Sequence, residues 1–428
     1  MTNHYFTLAV SKLWPKHFSR RIERLISRGD FNAAINELEN LPHDRSSQQF
    51  MCIPLVSVEG AGCDILCTTK PANTIEEPAL NFLDEKPILT SVTDRRIPAQ
   101  YVARVTDCIA HSGAGLIIRQ GKALYDIATL CRGNEIDYYD SDELRQARLI
   151  RHTSNGKMIL DFPAAPPAQI EAGICMFGIA SRNYGHWILE HLPKMLNFKD
   201  APIPSHIPIY IDGGMPSSHL ETLDRLNFMN REIREIPKGP CHFQNLYVSS
   251  PIANSPVDIL PGNPMHDTIW PKDTFLKLRD ALFAKMASPS QRQIKVFLSR
   301  KNYKLRRLLN ESEIAAHLSR EGFEVVEPEN LTFDQQVEVF RSADIIVGSC
   351  SSALTNTLFC KPGCKVVGLI HDTPSFNFRS YASLIECSGA KPIFVRGESV
   401  KSDGKHPYHL DYSVPIDRVV RACELPPS

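Results

Sequence analysis

Strands and helices alternate most regularly between residues 294 and 370, and this alternation constrains the fold more than any other feature of the sequence. Runs such as Ile294–Leu298 and Lys365–Ile370 are rich in β-branched residues, which is typical of buried strands. The segments between such strands, among them Asn310–Arg320 and Phe333–Arg341, have apolar residues at the three- and four-residue spacing of helices. The pattern predicts an α/β domain with a doubly wound parallel sheet.

A second alternation of the same kind lies between residues 166 and 265. Strands are predicted at Gly173–Ile179, Ile207–Asp212 and Leu246–Ser249, and helices at Tyr184–Asn197 and Ser218–Asn227. A chain of 428 residues is too long for one ordinary core, which agrees with two such units. We therefore predict two Rossmann-like lobes with a ligand-binding cleft between them.

The chain divides into four predicted segments. Residues 1–45 have the pattern of a helical hairpin, and residues 46–165 form a β-rich segment that we expect to be an antiparallel decoration packed on the first lobe. Residues 166–265 are the N-terminal lobe, and residues 266–428 are the C-terminal lobe with a C-terminal tail. The first two segments carry no obvious chemistry, so we expect the site in the lobes.

The charges of the chain balance, with 48 Lys and Arg residues against 48 Asp and Glu residues. This balance argues against nucleic acid or an anionic membrane as a general partner, because both select a basic excess. No apolar run is long enough to span a membrane, and the N-terminus lacks a signal-peptide pattern. We expect a cytoplasmic chain; a peripheral contact with a membrane and the oligomeric state are left open.

The 12 cysteines do not form a metal-binding pattern. Two pairs, Cys63/Cys67 and Cys360/Cys364, have a spacing that a zinc site uses, but neither is joined by a second pair or by suitably spaced histidines. We therefore expect reduced thiols and no bound metal.

A cluster of cations follows the predicted strand at 296–298. Ser299 and Arg300 come directly after the strand, and a basic loop then runs through Arg306 and Arg307 to the next helix. The carboxyl end of a parallel strand is where doubly wound sheets bind ligands, and the arginine fork suits phosphate. A solvated surface loop has the same composition, so the loop alone does not decide between the two interpretations.

A run of small, hydroxyl-bearing residues follows the strand Asp344–Val347 and opens a helix. Its backbone N–H groups and hydroxyls, in the stretch from Gly348 to Asn356, are typical of a phosphate cradle at a helix N-terminus. An ordinary serine cap explains the run as well. Because the two strands belong to one predicted sheet, the basic loop and this run are expected at the same edge, which favours a phosphate-bearing ligand.

His186 and Glu190 stand four residues apart in the predicted helix of the N-terminal lobe. This spacing places them on one helix face, where a carboxylate beside an imidazole favours a general base. A histidine that merely packs is the competing interpretation. His191 is five residues from His186, so we do not expect these two to share a face as metal ligands.

In these segments the sequence resembles glycosyltransferase family 61, and the resemblance covers about Asn183 to Leu369. The matching residues are Asn183, Tyr184, Gly185, His186 and Trp187 with Glu190 and Pro193; Ser299, Arg300, Arg307, Asn310 and Glu311; Gly322, Phe323, Glu324, Val325 and Val326; Leu331, Thr332 and Phe333 with Gln335 and Gln336; residues 343–348; residues 353–356; and Phe359 with Pro362 and Gly363.

The resemblance implies a GT-B fold and an inverting, metal-independent transfer from a nucleotide sugar, most often UDP-linked, to a glycan or lipid-linked glycan acceptor. His186 is similar to the catalytic base and Glu190 to its partner, and Asn183, Tyr184 and Trp187 lie on the acceptor side. The donor-binding residues are expected to be Ser299, Arg300, Arg306, Arg307, Asn310, Ser349, Cys350, Ser351, Ser352, Ala353, Leu354 and Asn356. No cofactor is expected beyond the donor as co-substrate. The absence of a secretion signal favours a role in bacterial polysaccharide synthesis, in capsule or exopolysaccharide.

The donor loop departs from the family at one place. Many members carry a Gly-Pro-His-Gly-type loop where this chain has residues 348–352, Gly-Ser-Cys-Ser-Ser. The loss of a histidine and a glycine leaves a second hypothesis open, a non-catalytic subunit that binds a nucleotide sugar or a polysaccharide. A nicotinamide-dependent oxidoreductase is disfavoured, because no Gly-x-Gly-x-x-Gly turn follows a strand.

Overall fold

The fold was established from a computed structural model of the chain. It describes residues 21–22, 24–25, 28, 30–39, 50–75, 80–85, 95–124, 150–154, 157–161, 167–253, 270–288, 290, 292–372, 378–400 and 409–426. Much of the predicted N-terminal hairpin lies outside these residues, and its second helix is α1, Phe31–Glu39.

The first sheet has eleven strands, and a separate two-stranded sheet is formed by β3 and β4. The strands of this part of the chain are β1 Phe50–Val56, β2 Asp64–Lys70, β3 Asn73–Ile75, β4 Arg95–Ile97, β5 Gln100–His111, β6 Leu116–Arg119, β7 Lys122–Leu124, β8 Ile150–Ser154, β9 Lys157–Asp161, β10 Ala168–Cys175, β11 Ile209–Ile211, β12 Ile233–Glu235 and β13 Pro240–Ser249. The order is β12-β11-β10-β13-β5-β6-β7-β1-β9-β8, with β2 paired to β5.

The β-rich segment extends the sheet of the first lobe edge to edge, which differs from the predicted decoration packed on that lobe. Strands β10, β11, β12 and β13 pair in parallel, and β5 then pairs with β13 in an antiparallel ladder from Pro240 opposite His111 to Ser249 opposite Val102. Through this ladder β5 supplies the backbone partners that the outer edge of β13 needs. The β5–β6 turn nevertheless contacts the residue that follows β11, because the Gly113 N–H donates to Asp212 Oδ1 (2.7 Å).

The second sheet has six strands in the order β15-β14-β16-β17-β18-β19. They are β14 Ile294–Leu298, β15 Phe323–Val326, β16 Ala343–Ser349, β17 Lys365–His371, β18 Lys391–Val400 and β19 Asp411–Ser413. All neighbouring pairs are parallel except β18 with β19. The strands predicted between residues 294 and 370 are therefore confirmed, and β14 and β16 are neighbours whose carboxyl ends meet at one edge.

The helices flank these sheets. The α-helices after α1 are α2 Tyr184–His186, α3 Lys194–Phe198, α4 Ser217–Leu226, α5 Lys272–Phe283, α6 Glu311–Arg320, α7 Phe333–Ser342, α8 Phe378–Cys387 and α9 Ile416–Glu424. A π-helix spans Trp187–His191, and 3₁₀-helices span Pro328–Asn330 and Ser352–Phe359. Within the described part of the chain, no helix combines the length and apolar character needed to cross a membrane.

One apolar core is shared by both sheets. It joins Ile174 and Trp187 of the first part of the chain to Val296 and Phe394 of the second. Each fully buried side chain of this size contributes about 1.5–3 kcal/mol relative to the exposed state. The shared core fixes the loops at the ends of β10 and β11 relative to those at the ends of β14 and β16.

Candidate active site

The segment that carries His186 begins with a capped helix. The Asn183 side chain accepts hydrogen bonds from the backbone N–H groups of Gly185 (2.9 Å) and His186 (3.4 Å). An asparagine cap of this kind satisfies N–H groups that have no partner inside the helix. The predicted single helix is interrupted, because the Trp187–His191 segment is a π-helix in which the Leu192 N–H donates to the Trp187 carbonyl.

His186 and Glu190 are in direct contact. His186 Nδ1 lies 3.0 Å from Glu190 Oε1, and the two side chains are 18% and 14% exposed. The predicted proximity is confirmed, whereas the catalytic role stays a prediction. When Nδ1 carries the proton and donates it to the carboxylate, the lone pair is on Nε2, which is then the atom that accepts a proton.

His191 has a structural contact that differs from that of His186. Its Nε2 lies 2.9 Å from the Ile179 carbonyl oxygen, and the ring is buried against Trp187. Burial, and then the nearby charge of Lys194, hold the pKa of His191 well below its ordinary value, so it is neutral. Among the residues that the structure describes, no group of three His, Cys, Asp or Glu side chains is placed to hold a metal ion.

Trp187 belongs to the core, which corrects its predicted place on the acceptor side. The side chain is fully buried, its Nε1–H donates to Thr222 Oγ1 (2.9 Å), and its ring stacks on His219. The reason is the packing of this segment on α4, which carries both Thr222 and His219. Burial lowers the pKa of His219 to about 4.

Tyr184 and Asn356 bind each other, although the sequence assigns them to opposite sides of the site. The Tyr184 hydroxyl donates to Asn356 Oδ1 (2.5 Å), and Asn356 Nδ2 donates to Gln336 Oε1 (2.8 Å). Asn356 is fully buried, and burial raises the pKa of Tyr184 well above its ordinary value. This chain of hydrogen bonds ties the segment that carries His186 to the second sheet, and the predicted ligand contacts of Tyr184 and Asn356 stay predictions.

The start of the 3₁₀-helix Ser352–Phe359 lies against the cap of α2. Ser352 Oγ is 3.4 Å from Asn183 Oδ1, and a Cβ added to Gly185 would lie 3.2 Å from Thr355 Oγ1. Because a side chain at position 185 would meet this tight contact, glycine permits the approach of the two segments. Ser352 is exposed and Ala353 is half-buried at this junction. The expected α-helix here is a 3₁₀-helix.

The remaining predicted donor-loop residues have side chains that face the protein interior, whereas the prediction placed these side chains against the donor. Ser349 Oγ is hydrogen-bonded to the Tyr412 hydroxyl (2.7 Å), Ser351 is 5% exposed and Leu354 is in the core. The Cys350 thiol is buried, which raises its pKa to about 12 and keeps it protonated. Strand β16 is central in its sheet, so the residues that end it are covered on both faces.

At the end of β14, Arg300 is held in place by a buried carboxylate. Glu311 Oε1 accepts from Ser299 Oγ (2.7 Å) and from the Arg300 backbone N–H (2.9 Å). The Arg300 guanidinium lies over the Tyr303 ring, 4.9 Å from its centroid, and reaches the Arg306 carbonyl oxygen at 3.4 Å. Burial, and then repulsion by Arg306, lower the pKa of Arg300.

Arg306 and Arg307 point in different directions. Arg306 has a φ of 51°, and its charge acts on the buried groups Cys350 and Tyr412. Arg307 forms a forked pair with Asp411 Oδ2 (3.1 Å and 2.7 Å), and its backbone N–H donates to Asp411 Oδ1 (2.8 Å). The structure therefore places Arg300 and Arg306 together, while Arg307 is held by β19 and is 54% exposed.

Asn310 is engaged by the backbone of the C-terminal segment. Its Nδ2 donates to the Val414 carbonyl (2.8 Å), and its Oδ1 accepts from the Val414 N–H (3.2 Å). Both ends of the amide are thus bonded to one residue, and the prediction that Asn310 binds the donor stays a prediction. The partners of Asn310 and Arg307 come from residues 411–414, which are far away in sequence, so no local sequence pattern predicts these contacts.

Asp212 is a buried residue of this region that the sequence analysis missed as a site group. It follows β11, is 3% exposed, and its carboxylate accepts hydrogen bonds from Gly113 N (2.7 Å), Gly178 N (2.8 Å) and Ser181 Oγ (2.6 Å). Its position at a strand end is the available sequence signal. The donors come from two loops far apart in sequence, the β5–β6 turn and the loop between β10 and α2, so only the tertiary structure brings them together.

The two sheets share a core, with the His186–Glu190 pair in the first part of the chain and Arg300 and Arg306 after strand β14 of the second sheet. Residues 184–367 match the family model named Glycosyltransferase 61, and this match supports membership of the chain in that family. The resemblance stated from the motifs is confirmed over these residues, and the family matched is one of glycosyltransferases. Among curated proteins, none matches this chain.

Proposed function

We propose that this protein is an inverting, metal-independent glycosyltransferase of GT-B architecture that acts in bacterial polysaccharide synthesis. It moves a sugar from a nucleotide sugar, UDP-linked, to a hydroxyl group of a glycan acceptor. The observation that carries the proposal is the contact between His186 Nδ1 and Glu190 Oε1 at 3.0 Å, within the segment that matches the family. The shared core of the two sheets and the direct contact between α2 and the 3₁₀-helix Ser352–Phe359 support it.

The reaction we propose is a single displacement at the anomeric carbon. The acceptor oxygen attacks on the face opposite the nucleotide and forms the new glycosidic bond, while the bond to the diphosphate breaks and its electron pair leaves with the diphosphate. The acceptor proton passes to His186 Nε2. Glu190 holds the Nδ1–H side of the ring, and its negative charge stabilises the imidazolium that forms.

The negative charge that develops on the leaving diphosphate needs fixed positive groups. Arg300 and Arg306 supply them in this proposal, because the charges of both act on Cys350, which directly follows β16, and on Tyr412. Groups held in place before the reaction stabilise the transition state without reorganisation. Arg307 has a smaller part in the proposal, since Asp411 already neutralises it.

The test of the base is the His186→Ala variant. We expect kcat for sugar transfer to fall by about 100- to 10,000-fold, with UDP binding measured by calorimetry kept within a few-fold. The matched control is His242→Ala, which removes an imidazole that also contacts a carboxylate, Asp107, at 2.7 Å, but belongs to none of the predicted motifs. An equal loss in both variants would contradict the assignment of His186.

The stereochemistry and the metal independence have separate tests. Proton NMR of the first product formed is expected to show the anomeric configuration opposite to that of the donor. Transfer in excess chelator is expected to proceed at the untreated rate, and complete loss of transfer under chelation would reject the metal-independent mechanism.

A second candidate function is a non-catalytic subunit that binds a nucleotide sugar or a polysaccharide. The burial of Ser349 and Cys350 favours it, because buried side chains at these positions leave fewer hydrogen-bonding groups for a donor than the loop sequence predicts. If wild type and His186→Ala are equally inert toward a panel of nucleotide sugars while UDP still raises the melting temperature of both, this second function is correct.

A further inference from the structure

Three loops meet at the Asp212 carboxylate, namely its own loop after β11, the β5–β6 turn and the loop between β10 and α2. Asp212 Oδ1 accepts from Gly113 N, in the turn between β5 and β6, and Asp212 Oδ2 accepts from Gly178 N and Ser181 Oγ, in the loop between β10 and α2. All three partners are donors, so the carboxylate is an acceptor for each of them. Asp212 and Ser181 are 3% and 2% exposed, which excludes water as an easy substitute.

The loop that Asp212 holds is the one that delivers the catalytic segment. It passes from Gly178 through Ala180 to Asn183, whose side chain caps the helix at the His186 N–H. Two of its residues have backbone angles that few residues adopt, a φ of 155° at Gly178 and 54° at Ala180. Backbone of this kind persists only where the surroundings hold it. The bonds to Gly178 and Ser181 lie on either side of Ala180.

The same loop also packs against the π-helix Trp187–His191, which follows His186. A Cβ added at Gly178 would lie 3.1 Å from His191 Cε1, and one added at Gly115 would lie 3.3 Å from Gly178 Cα. The β5–β6 turn, this loop and the π-helix are therefore in tight contact. A change at Asp212 thus reaches the position of His186 by two routes, through Asn183 and through His191.

We propose that Asp212 is a positioning residue for His186: its carboxylate clamps the loop 178–183 to the β5–β6 turn and so sets the place of the imidazole in the active site. The inference rests on the proposed function, because it assigns His186 as the base. It also gives the turn at Gly113, which lies outside the family match, a part in the same site.

The experiment compares Asp212→Asn with Glu338→Gln. Glu338 on α7 is the matched control, because its carboxylate also accepts one backbone N–H, from Ser290, and one serine hydroxyl, from Ser342, both at 3.0 Å. We expect Asp212→Asn to lower kcat by about 10- to 100-fold with the KM of the nucleotide sugar within about threefold, as for a misplaced catalytic group. Glu338→Gln is expected to keep both constants.

The second measurement does not depend on turnover. In protein with ¹⁵N-labelled histidine, Asp212→Asn is expected to shift the imidazole signals assigned to His186, and Glu338→Gln is expected to leave them in place. If wild type itself transfers no sugar, the proposed function fails while this comparison still decides the positioning role. Unchanged His186 signals in a folded Asp212→Asn protein would overturn the proposal.

Ser181→Ala covers the case in which Asp212→Asn does not fold. It removes one of the three donors and leaves the backbone bonds from Gly113 and Gly178. We expect a roughly fivefold lower kcat, which corresponds to one hydrogen bond, with the KM of the donor unchanged. A Ser181→Ala protein with the kcat and the His186 signals of wild type contradicts the positioning role.

Discussion

The segment around His186 and the loop around Arg307 both carry charged side chains that the sequence marks as site residues, but the structure treats them differently. His186 and Glu190 meet at 3.0 Å as their four-residue spacing predicts. Arg306 and Arg307 are neighbours in sequence, yet one is turned toward Cys350 and Tyr412 and the other toward Asp411.

The difference has a physical cause. Helical geometry fixes the direction of every side chain relative to the one four residues later, whatever the rest of the protein does. A loop has no such repeat, so its directions are decided by contacts, here by the positive φ of Arg306 and by the carboxylate of Asp411. Charged residues in loops therefore need tertiary information before a role is assigned to them.

The largest expected effect that tests this comparison is a change in the KM of the nucleotide sugar when Arg300 or Arg306 is replaced. Arg300→Ala or Arg306→Ala is expected to raise the KM of the nucleotide sugar by about 10- to 100-fold, because each removes a charged hydrogen-bond donor, worth about 1.5–3 kcal/mol. Arg307→Ala is the matched variant one residue away, with a KM expected within about twofold of wild type, since an exposed pair contributes little. Steady-state kinetics over a range of donor concentrations measures all three, and a larger effect at Arg307 than at Arg306 would reverse the comparison.

The next effect concerns the bond that joins the two parts of the chain. Tyr184→Phe leaves buried Asn356 Oδ1 without its donor, and we expect the free energy of unfolding to fall by about 1–3 kcal/mol. Urea denaturation measures it. Tyr303→Phe, at a tyrosine that is 48% exposed, is the control and is expected to change stability little. Equal stability of both variants would show that the bond does not join the two parts.

The third effect is a dependence of stability on pH. Burial holds the pKa of His219 at about 4 in the folded protein, whereas an unfolded histidine has a pKa of about 6.5. Above pH 6.5 neither state binds this proton, and between about 6.5 and 4 only the unfolded state does, so stability falls with falling pH by up to about 1.4 kcal/mol per unit. His219→Gln is expected to flatten the slope in urea denaturation between pH 7 and 5, and exposed His206→Gln to keep it. The same slope in all three proteins would contradict the burial argument.

The smallest effect on kcat is expected at Glu190, the carboxylate beside the proposed base His186. Glu190→Gln keeps an oxygen that accepts from His186 Nδ1 but removes the negative charge, which we expect to lower kcat roughly fivefold, or about 1 kcal/mol. The donor KM is expected to stay the same, because the change is on the acceptor side of the proposed reaction. A loss as large as that of His186→Ala would mean that Glu190, and not the imidazole, is the proton acceptor.

Much of the fold follows from local pattern. The strand Ile294–Leu298 has the bounds that the sequence predicts, and the helix expected from Ser218 to Asn227 is Ser217–Leu226. These elements have a strong period and clear ends, such as the Thr332–Gln335 capping box that begins α7. The π-helix and the 3₁₀-helix Ser352–Phe359 were expected as ordinary α-helix, since the apolar spacing of the three forms is hard to distinguish over so few residues.

Only part of the candidate site could be predicted from local sequence pattern. The His186–Glu190 pair and the position of Arg300 at a strand end come from spacing and order along the chain. Three other contacts could not be predicted in this way, because each joins residues more than a hundred positions apart. They are Asn310 with Val414, Tyr184 with Asn356 and Arg307 with Asp411. The predicted bounds of the four segments, the donor and the acceptor stay predictions.

The sequence by itself determined the α/β class, the resemblance to the family and the proximity of His186 to Glu190, because these depend on periodicity and on order along the chain. The tertiary structure alone decided which charges face the site. It turned Arg307 onto Asp411, buried Trp187 and Cys350, and gathered three loops around Asp212. The reason is that the direction of a loop side chain is set by partners distant in sequence, and sheet order is what brings those partners within hydrogen-bond distance.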